Sequence, residues 1–408
     1  MDFRFTEAEE KLAQEVRDFF AKEVTDEFWD KHMAEQGCNN PYSHELHLKM
    51  AERGWFGLLA PKEYGGQERS FTELTIFLEE VGKGRGPFGN VNVISNSANF
   101  LMGGLLLYGT DEQKKKWLPL ILNGQLKSSQ GLTEPEAGSD LAAAQLRAVR
   151  DGDSYILNGT KIFNNAHNAT HIFAVARTDP NVLKYKGISL FLVDLSSPGI
   201  AISPRFFTCG GEKRSEVSFQ DVRVPKENML GEENRGWYHL AAAMRYERTQ
   251  GYRVGETEEN FNVLLKTVKE MKVEGHPVTD IPWVRQSLAN IATEIQVVRL
   301  LCYWVAYLQD QGKDVTAWEA PITKVYRSEI QERLANIAVD ILGQYGQLEK
   351  WGSTHERIPM RGRAVELYED SRKEEIGAGT TEVQFNIVAL RGLGLPKPPR
   401  VRNTGAAT

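Results

Sequence analysis

Long apolar runs are missing from this 408-residue chain: the stretch of about 18 consecutive apolar residues that a spanning helix needs is nowhere found. The first residues, Met1-Asp-Phe-Arg-Phe-Thr6, hold no apolar core of a secretion signal. Cysteine is scarce, and Cys38, Cys209 and Cys302 are too far apart for any Cys-x-x-Cys pair, which excludes a disulfide framework or a thiolate zinc site and points to a reducing compartment. All three read as packing or incidental residues. Histidines such as His167, His171 and His239 lack ligand spacing, so no metal is expected and structural roles are. Charge of one sign is not in large excess. A net charge of -6, with basic residues scattered, gives no patch to attract nucleic acid or a membrane surface. Internal repeats and low-complexity segments are absent too. The expectation is a cytoplasmic protein with neither kind of partner.

What is present is an ordinary globular composition, 41% hydrophobic and 25% charged, in a chain long enough for two or three units around a large core. Thr6 with Glu9 makes a capping box, and Leu12, Val16, Phe19 and Phe20 give the helix behind it an apolar face. Helical spacing recurs over 44–53, over 72–81 and behind Thr110 with Gln113, so 1–125 reads as an all-helical domain. From 126 to 233 the runs become short and β-branched: 155–157, 161–163, 171–176, 188–193 and 216–219. Asn158-Gly159 lies between two of them and predicts a hairpin turn, since both residues tolerate positive φ. Helical period then returns. Val284, Leu288, Ile291, Ile295, Val298, Cys302, Val305 and Leu308 form one seam behind Pro282, and Ile322, Val325, Ile330, Leu334, Ile337 and Ile341 form another that stops at Gly343. This predicts a helical bundle over 234–395, with a flexible tail over 396–408.

Two stretches carry chemistry. Over 236–249 a helix is predicted whose apolar stripe gathers Trp237, Leu240, Met244 and Glu247, with Arg245 and Arg248 off it. A carboxylate among apolar neighbours resists ionisation and gains base strength, which is how a general base is prepared. From this helix alone, a Glu that turns to solvent or pairs with a nearby Arg is the plainer alternative. The second stretch, Gly131-Leu-Thr-Glu-Pro-Glu-Ala-Gly-Ser-Asp140, reads as a loop offering backbone N–H groups and hydroxyls to a phosphate or a heteroaromatic edge. It lacks the glycine spacing of a phosphate loop or a dinucleotide fold, so as spacing it is weak.

Thr133-Glu-Pro-Glu-Ala-Gly-Ser-Asp140, Leu157-Asn-Gly-Thr-Lys161, Asp221-Val-Arg-Val-Pro225 and Gly379-Thr-Thr-Glu-Val-Gln384 together resemble, in order and separation, the signature segments of acyl-CoA dehydrogenases. The resemblance runs over essentially the whole chain. It implies an α+β multidomain fold: an N-terminal helical domain, a small β-barrel-like middle domain and a C-terminal four-helix bundle. It also implies FAD, a carboxylate that removes the α-proton of an acyl-CoA thioester, hydride transfer from the β-carbon to flavin N5, and an electron-transfer flavoprotein as acceptor. Leu132 and Thr133 would lie along the flavin edge, Ser139 near its pyrophosphate, and Phe163 and Asn165 against the isoalloxazine ring. Gly343 and Gln344 would reach the FAD of a neighbouring subunit, with Thr380 and Glu382 near its adenosine half. Arg248 and Gly379 would bind substrate. A homotetramer is implied, and a mixed tetramer is the variant.

The chain departs from that pattern in telling places. Where many members carry the base in a Tyr-Glu-Gly-Thr loop, this sequence reads Gly377-Ala-Gly-Thr380. In members similar to isovaleryl and long-chain acyl-CoA dehydrogenases the base sits on the helix after the β-domain, before an Arg, and that position here is Glu247. Ala378 keeps a backbone N–H that can serve the thioester oxygen. The Arg-x-x-Phe segment that contacts FAD across a dimer is replaced by Gly275-His-Pro-Val-Thr-Asp-Ile-Pro282, and the usual Trp beside the flavin by Phe163. Cys209-Gly-Gly-Glu-Lys-Arg-Ser215 also stands in an uncommon form. Two further readings stay open: a flavin oxidase or monooxygenase of the same fold that uses oxygen, and a partner subunit that completes another chain's site. The acyl group is left undetermined.

Overall fold

The structure, a computed structural model, describes residues 4–36, 41–206, 213–247, 251–348 and 358–397. The chain opens with α1 (Glu7–Glu23), α2 (Asp26–Gln36), α3 (His44–Glu52), α4 (Phe71–Lys83) and α5 (Phe88–Ile94). A π-helical turn, Ser95–Leu101, joins α5 to α6 (Met102–Tyr108), and α7 (Asp111–Leu122) follows. The expected starts are in place, because Thr6 and Thr110 each accept from the N–H three residues on while Glu9 and Gln113 return the bond. Leu12, Val16, Phe19 and Phe20 are buried on one stripe of α1.

The middle of the chain is a sheet of β1 (Ser128–Gly131), β2 (Arg147–Asp151), β3 (Ser154–Asn164), β4 (His171–Arg177), β5 (Ile188–Asp194), β6 (Ile200–Phe206), β7 (Lys213–Pro225) and β8 (Met229–Leu230). Its order is β6-β7-β3-β2-β4-β5-β8, with β1 parallel to β4. The hairpin predicted at Asn158-Gly159 is not there. Both residues lie inside β3, at a bulge against β7 where the register shifts between Leu157 and Gly159. Asn158 exchanges hydrogen bonds with Asp221 across the ladder, at 3.0 and 2.9 Å, and Gly159 takes φ 144° where a Cβ would meet Leu146 at 3.0 Å. The tight turn comes earlier, between β2 and β3, where Gly152 takes φ 61°.

The last unit begins with α8 (Gly236–Ala243) and a 3₁₀ turn, Met244–Glu247. It continues with α9 (Gly251–Glu270), the short hairpin of β9 (Lys272–Val273) and β10 (His276–Pro277), α10 (Pro282–Asp310), α11 (Glu319–Leu342), α12 (Arg363–Ile376) and α13 (Thr381–Ile387). Helices α9 to α12 pack as a four-helix bundle around Leu264, Val284, Leu288, Ile291, Ile295, Val298, Ile330 and Leu334. Pro282 starts α10, and Gly343, at φ 56°, ends α11. Of the second seam, Val325, Ile330 and Leu334 are buried while Ile322 is exposed. The replacement segment at 275–282 forms the β9–β10 turn, Glu274 and Gly275 both at positive φ, and leads into α10. From 398 the expected tail lies outside the described residues.

One core runs under the first two units. Phe100, Leu101 and Met102 pack with Phe173, Val175, Leu190 and Leu192 of the sheet and with Leu240 and Ala243 of α8. The junction of these three is where the site is built.

Candidate active site

The single long helix expected over 236–249 is broken. α8 buries His239, Leu240 and Ala243, with Trp237 and Met244 half-buried against the same core, and then the chain tightens into the 3₁₀ turn. A 3₁₀ step advances 120° instead of 100°, so Glu247 is rotated by about 60° from the stripe that begins at Trp237. The turn is fixed by Tyr246. Its ring lies where a Cβ on Gly103 of α6 would fall, at 2.4 Å, and tilts against Phe71 at 5.7 Å. The backbone of Glu247 is described; its side chain and all of Arg248 lie outside the described residues, as do Cys38 and Cys209.

The π-helical turn Ser95–Leu101 touches both halves of the site. Met244–Glu247 packs on one side of it, and β1 packs on another, where Ser97 Oγ accepts the Ser128 N–H at 2.7 Å. β1 runs straight into Leu132 and Thr133. Such π turns are uncommon and gather at functional sites, and nothing in the 95–101 sequence marked this one.

Leu132 and Thr133 are held by groups that the sequence reading passed over, although they lie in its own motifs. Thr133 C=O accepts the Ile162 N–H at 2.9 Å, and Lys161 Nζ, fully buried, donates to Leu132 C=O at 3.1 Å and to Glu134 at 2.7 Å. Glu134 also accepts the Gln145 and Leu146 N–H groups. Burial drives the Lys161 ammonium down to about 8, against the pull of Glu134. The pair therefore pins the 131–134 loop to β3. Ser129 Oγ accepts the Asn165 N–H at 2.9 Å, and Arg214 donates to the Asn165 side chain. The structure thus brings Leu132, Thr133, Phe163 and Asn165 together. Phe163 is 54% exposed and sits at φ 59°. Ser139 is exposed two residues beyond Ala137, beside Asp140, which pairs with Lys184.

Ala378 and Gly379 take left-handed backbone, φ 55° and 88°, between α12 and α13. Gln384 Nε2 donates to Ala378 C=O at 3.0 Å, while the Ala378 N–H donates to no backbone group among the described residues. The loop is anchored from behind. Glu374 accepts from Arg253 of α9 at 2.6 Å and from Arg327 of α11 at 2.9 Å, and Lys324 reaches the Glu375 carbonyl at 3.2 Å. Burial alone would raise the Glu374 carboxyl, yet the two guanidiniums hold it well below the usual carboxylate range.

Thr380 caps α13, accepting from the Val383 N–H at 3.2 Å, and Glu382 is exposed beside Lys324 near the start of α11. Gly343 and Gln344 stand at the other end of that helix. About 19 residues of helix, on the order of 28 Å, separate the two pairs, so one chain does not bring them together.

His167 bonds Ser215 Oγ, His171 bonds Thr170 Oγ, and His239 packs at a tilt against Tyr108. Buried Cys302 has its thiol pushed up to about 12 by burial. Among the described residues no cluster of His, Cys, Asp and Glu could hold a metal.

A helical domain, a β domain and a helical bundle meeting at such a loop, with a lone exposed aromatic on β3, define a flavoenzyme-like architecture. The chain belongs to the acyl-CoA dehydrogenase family: its N-terminal domain matches residues 6–125, its middle domain 129–222 and its C-terminal domain 234–393. It is similar to the acyl-CoA dehydrogenase FadE26 of Mycobacterium tuberculosis, 31% identical over 98% of this chain and all of that one. It is 34% identical to the caffeyl-CoA reductase-Etf complex subunit CarC of Acetobacterium woodii, over 94% of this chain and 98% of the relative. In structure it resembles a chain of the ChsE4-ChsE5 complex of Mycobacterium tuberculosis, with a TM-score of 0.86, 30% identity and coverage of 98% and 100%. The protein is an oxidoreductase of a family whose members act on acyl-CoA and depend on FAD.

Proposed function

We propose that this chain removes two hydrogens from the Cα–Cβ bond of an acyl-CoA thioester, giving the trans-2-enoyl thioester. The observation that carries this is the packing of the Met244–Glu247 turn and of β1, which leads to Thr133, on one π-helical turn. The described residues fit a flavin: an exposed aromatic at Phe163, the Thr133 hydroxyl with no hydrogen bond among the described residues, and a loop pinned from behind by Glu134 and Lys161. Leu132, Thr133, Ser139, Phe163 and Asn165 would hold FAD from within the chain. When bound, FAD supplies the acceptor that takes the β-hydrogen as hydride.

The chain's own residues do the rest. The Glu247 carboxylate takes the α-proton, and the Ala378 N–H donates to the thioester oxygen as negative charge builds there. Arg248 and Gly379 hold the substrate around these atoms. Gly343 and Gln344 would serve a neighbouring subunit's FAD, and Thr380 and Glu382 would lie near the adenosine half of an FAD, in a cytoplasmic tetramer built as a dimer of dimers. Electrons leave to an electron-transfer flavoprotein, which the Etf complex named for CarC supports. A mixed tetramer is the second reading, favoured by the resemblance to a subunit of the two-protein ChsE4-ChsE5 complex.

The test is anaerobic bleaching of the purified protein's flavin by a panel of acyl-CoA thioesters. Bleaching that is reoxidised by an electron-transfer flavoprotein, and only slowly by oxygen, is the expected result. A protein that purifies without flavin, or whose flavin no thioester reduces, would overturn the reading.

A further inference from the structure

The π-helical turn carries a polar pair that the reaction does not use. Asn96 and Asn99 are only 5% and 4% exposed, yet among the described residues neither side chain makes a hydrogen bond. Buried amides are satisfied in the great majority of folded proteins, so an unpaired pair on one turn calls for a partner. Their amide atoms are not sealed in either, since the fully enclosed partnerless atoms lie on other residues. They face space that solvent reaches.

The neighbours say which space. Ser97 bonds β1, and Phe100 packs edge-on against Phe173 at 5.2 Å, so those two residues point at the sheet. Asn99 stands one turn before Gly103 and shares its face, the face on which Tyr246 rests next to Glu247. Asn96 lies one turn further back, on the adjoining side. The amides therefore extend away from the turn that carries Glu247, on the order of 5–10 Å along the helix axis.

We infer that Asn99, with Asn96 behind it, binds a neutral oxygen function, a hydroxyl or ketone, on the acyl group several carbons beyond the reacting bond. This rests on the dehydrogenase reading above. An amide offers one acceptor and two N–H donors and no charge, so it matches an alcohol or carbonyl. A carboxylate is ordinarily matched by Arg or Lys, whereas the turn Ser95–Leu101 itself offers uncharged amides. A plain alkyl chain would strip water from both amides and return no bond. The polar lining thus selects against straight fatty acyl groups as well as for oxygenated ones.

The experiment compares kcat/KM of the FAD-loaded enzyme for pairs of acyl-CoA thioesters of equal length, one unsubstituted and one bearing a mid-chain or terminal hydroxyl or ketone. The oxygenated member should win by about tenfold or more, the worth of one or two net hydrogen bonds. Asn99→Leu should invert the ratio by lowering the oxygenated substrate and raising the plain one, with FAD content unchanged; Asn96→Ser is the milder second variant. A wild-type ratio at or below one would overturn the inference, whatever the variants do. So would a ratio that neither variant moves, because the amides would then hold only water. No turnover of any thioester would overturn both this and the dehydrogenase reading, whereas turnover with an unmoved ratio sinks only the oxygen-binding role.

Discussion

An alanine in left-handed backbone is costly, by roughly 1–2 kcal/mol, because its Cβ crowds the following carbonyl. Ala378 adopts that conformation anyway, held by the Gln384 amide on its carbonyl and by the Arg253–Glu374–Arg327 network behind it. Strain kept in place by such support is a mark of function, and the group it frees is a backbone N–H. Glu247, the proposed base, sits on a different segment, so the proposed base and the proposed oxyanion donor are separable by mutation. Glu247→Gln should retain flavin and slow substrate-driven flavin reduction by about 10²–10⁴-fold, read by anaerobic stopped-flow. Ala378→Glu in that background should return part of the rate, if the two positions face one α-carbon. Reduction of the Glu247→Gln flavin at the wild-type rate would remove Glu247 as the base.

At the scale of elements, what was legible followed local rules. Capping boxes announced α1 and α7, Pro282 announced α10, and Gly343 closed α11, because each is settled by a few neighbouring residues. What was hidden depends on partners far along the chain. Asn158-Gly159 has hairpin chemistry, but Asp221 and Leu146 make it a bulge; Tyr246 seats on Gly103 and tightens a helix into a 3₁₀ turn. Lys161 and Glu134 lie within the family's signature segments, yet only burial reveals them as a supporting pair. The packing of α4 on α9 is of the same long-range kind. Gly255 lies so close to α4 that a Cβ would come within 2.0 Å of the Glu79 carbonyl, and a Cβ on Gly82 would come within 2.3 Å of the Tyr252 carbonyl. Backbone cannot yield as a side-chain tip can, so Gly255→Ala must push the helices apart and should cost about 1–3 kcal/mol in urea unfolding. Gly138→Ala, which meets nothing within 4 Å, is the comparison and should be near neutral. Equal midpoints for the two variants would show that the α4–α9 contact yields freely.

At the scale of the whole molecule, α10 is apolar on more than one side. Val298 and Cys302 face the bundle core and Val305 a smaller core with Val315 and Ala320, while Val297, Leu300 and Tyr307 form an outward stripe, Leu300 being 50% exposed. By length and composition α10 could cross a membrane, but its core face is committed to α9, α11 and α4. A helix apolar all round is ordinarily covered all round, and outward stripes of this kind mark interfaces. The proposed tetramer supplies a cover. It also accounts for Gly343 and Gln344 lying a helix length from Thr380 and Glu382, since a second chain can bring the two ends of α11 to one FAD. Leu300→Lys places a charge in that stripe without touching the core. The expected outcome is sedimentation as a smaller species, with a rise in free FAD on gel filtration as the shared sites come apart. Because Leu300 reaches no residue assigned to chemistry, any flavin that stays bound should still bleach with thioester. A Leu300→Lys protein that sediments like wild type and keeps its FAD would show that α10 faces solvent and that the assembly is built elsewhere.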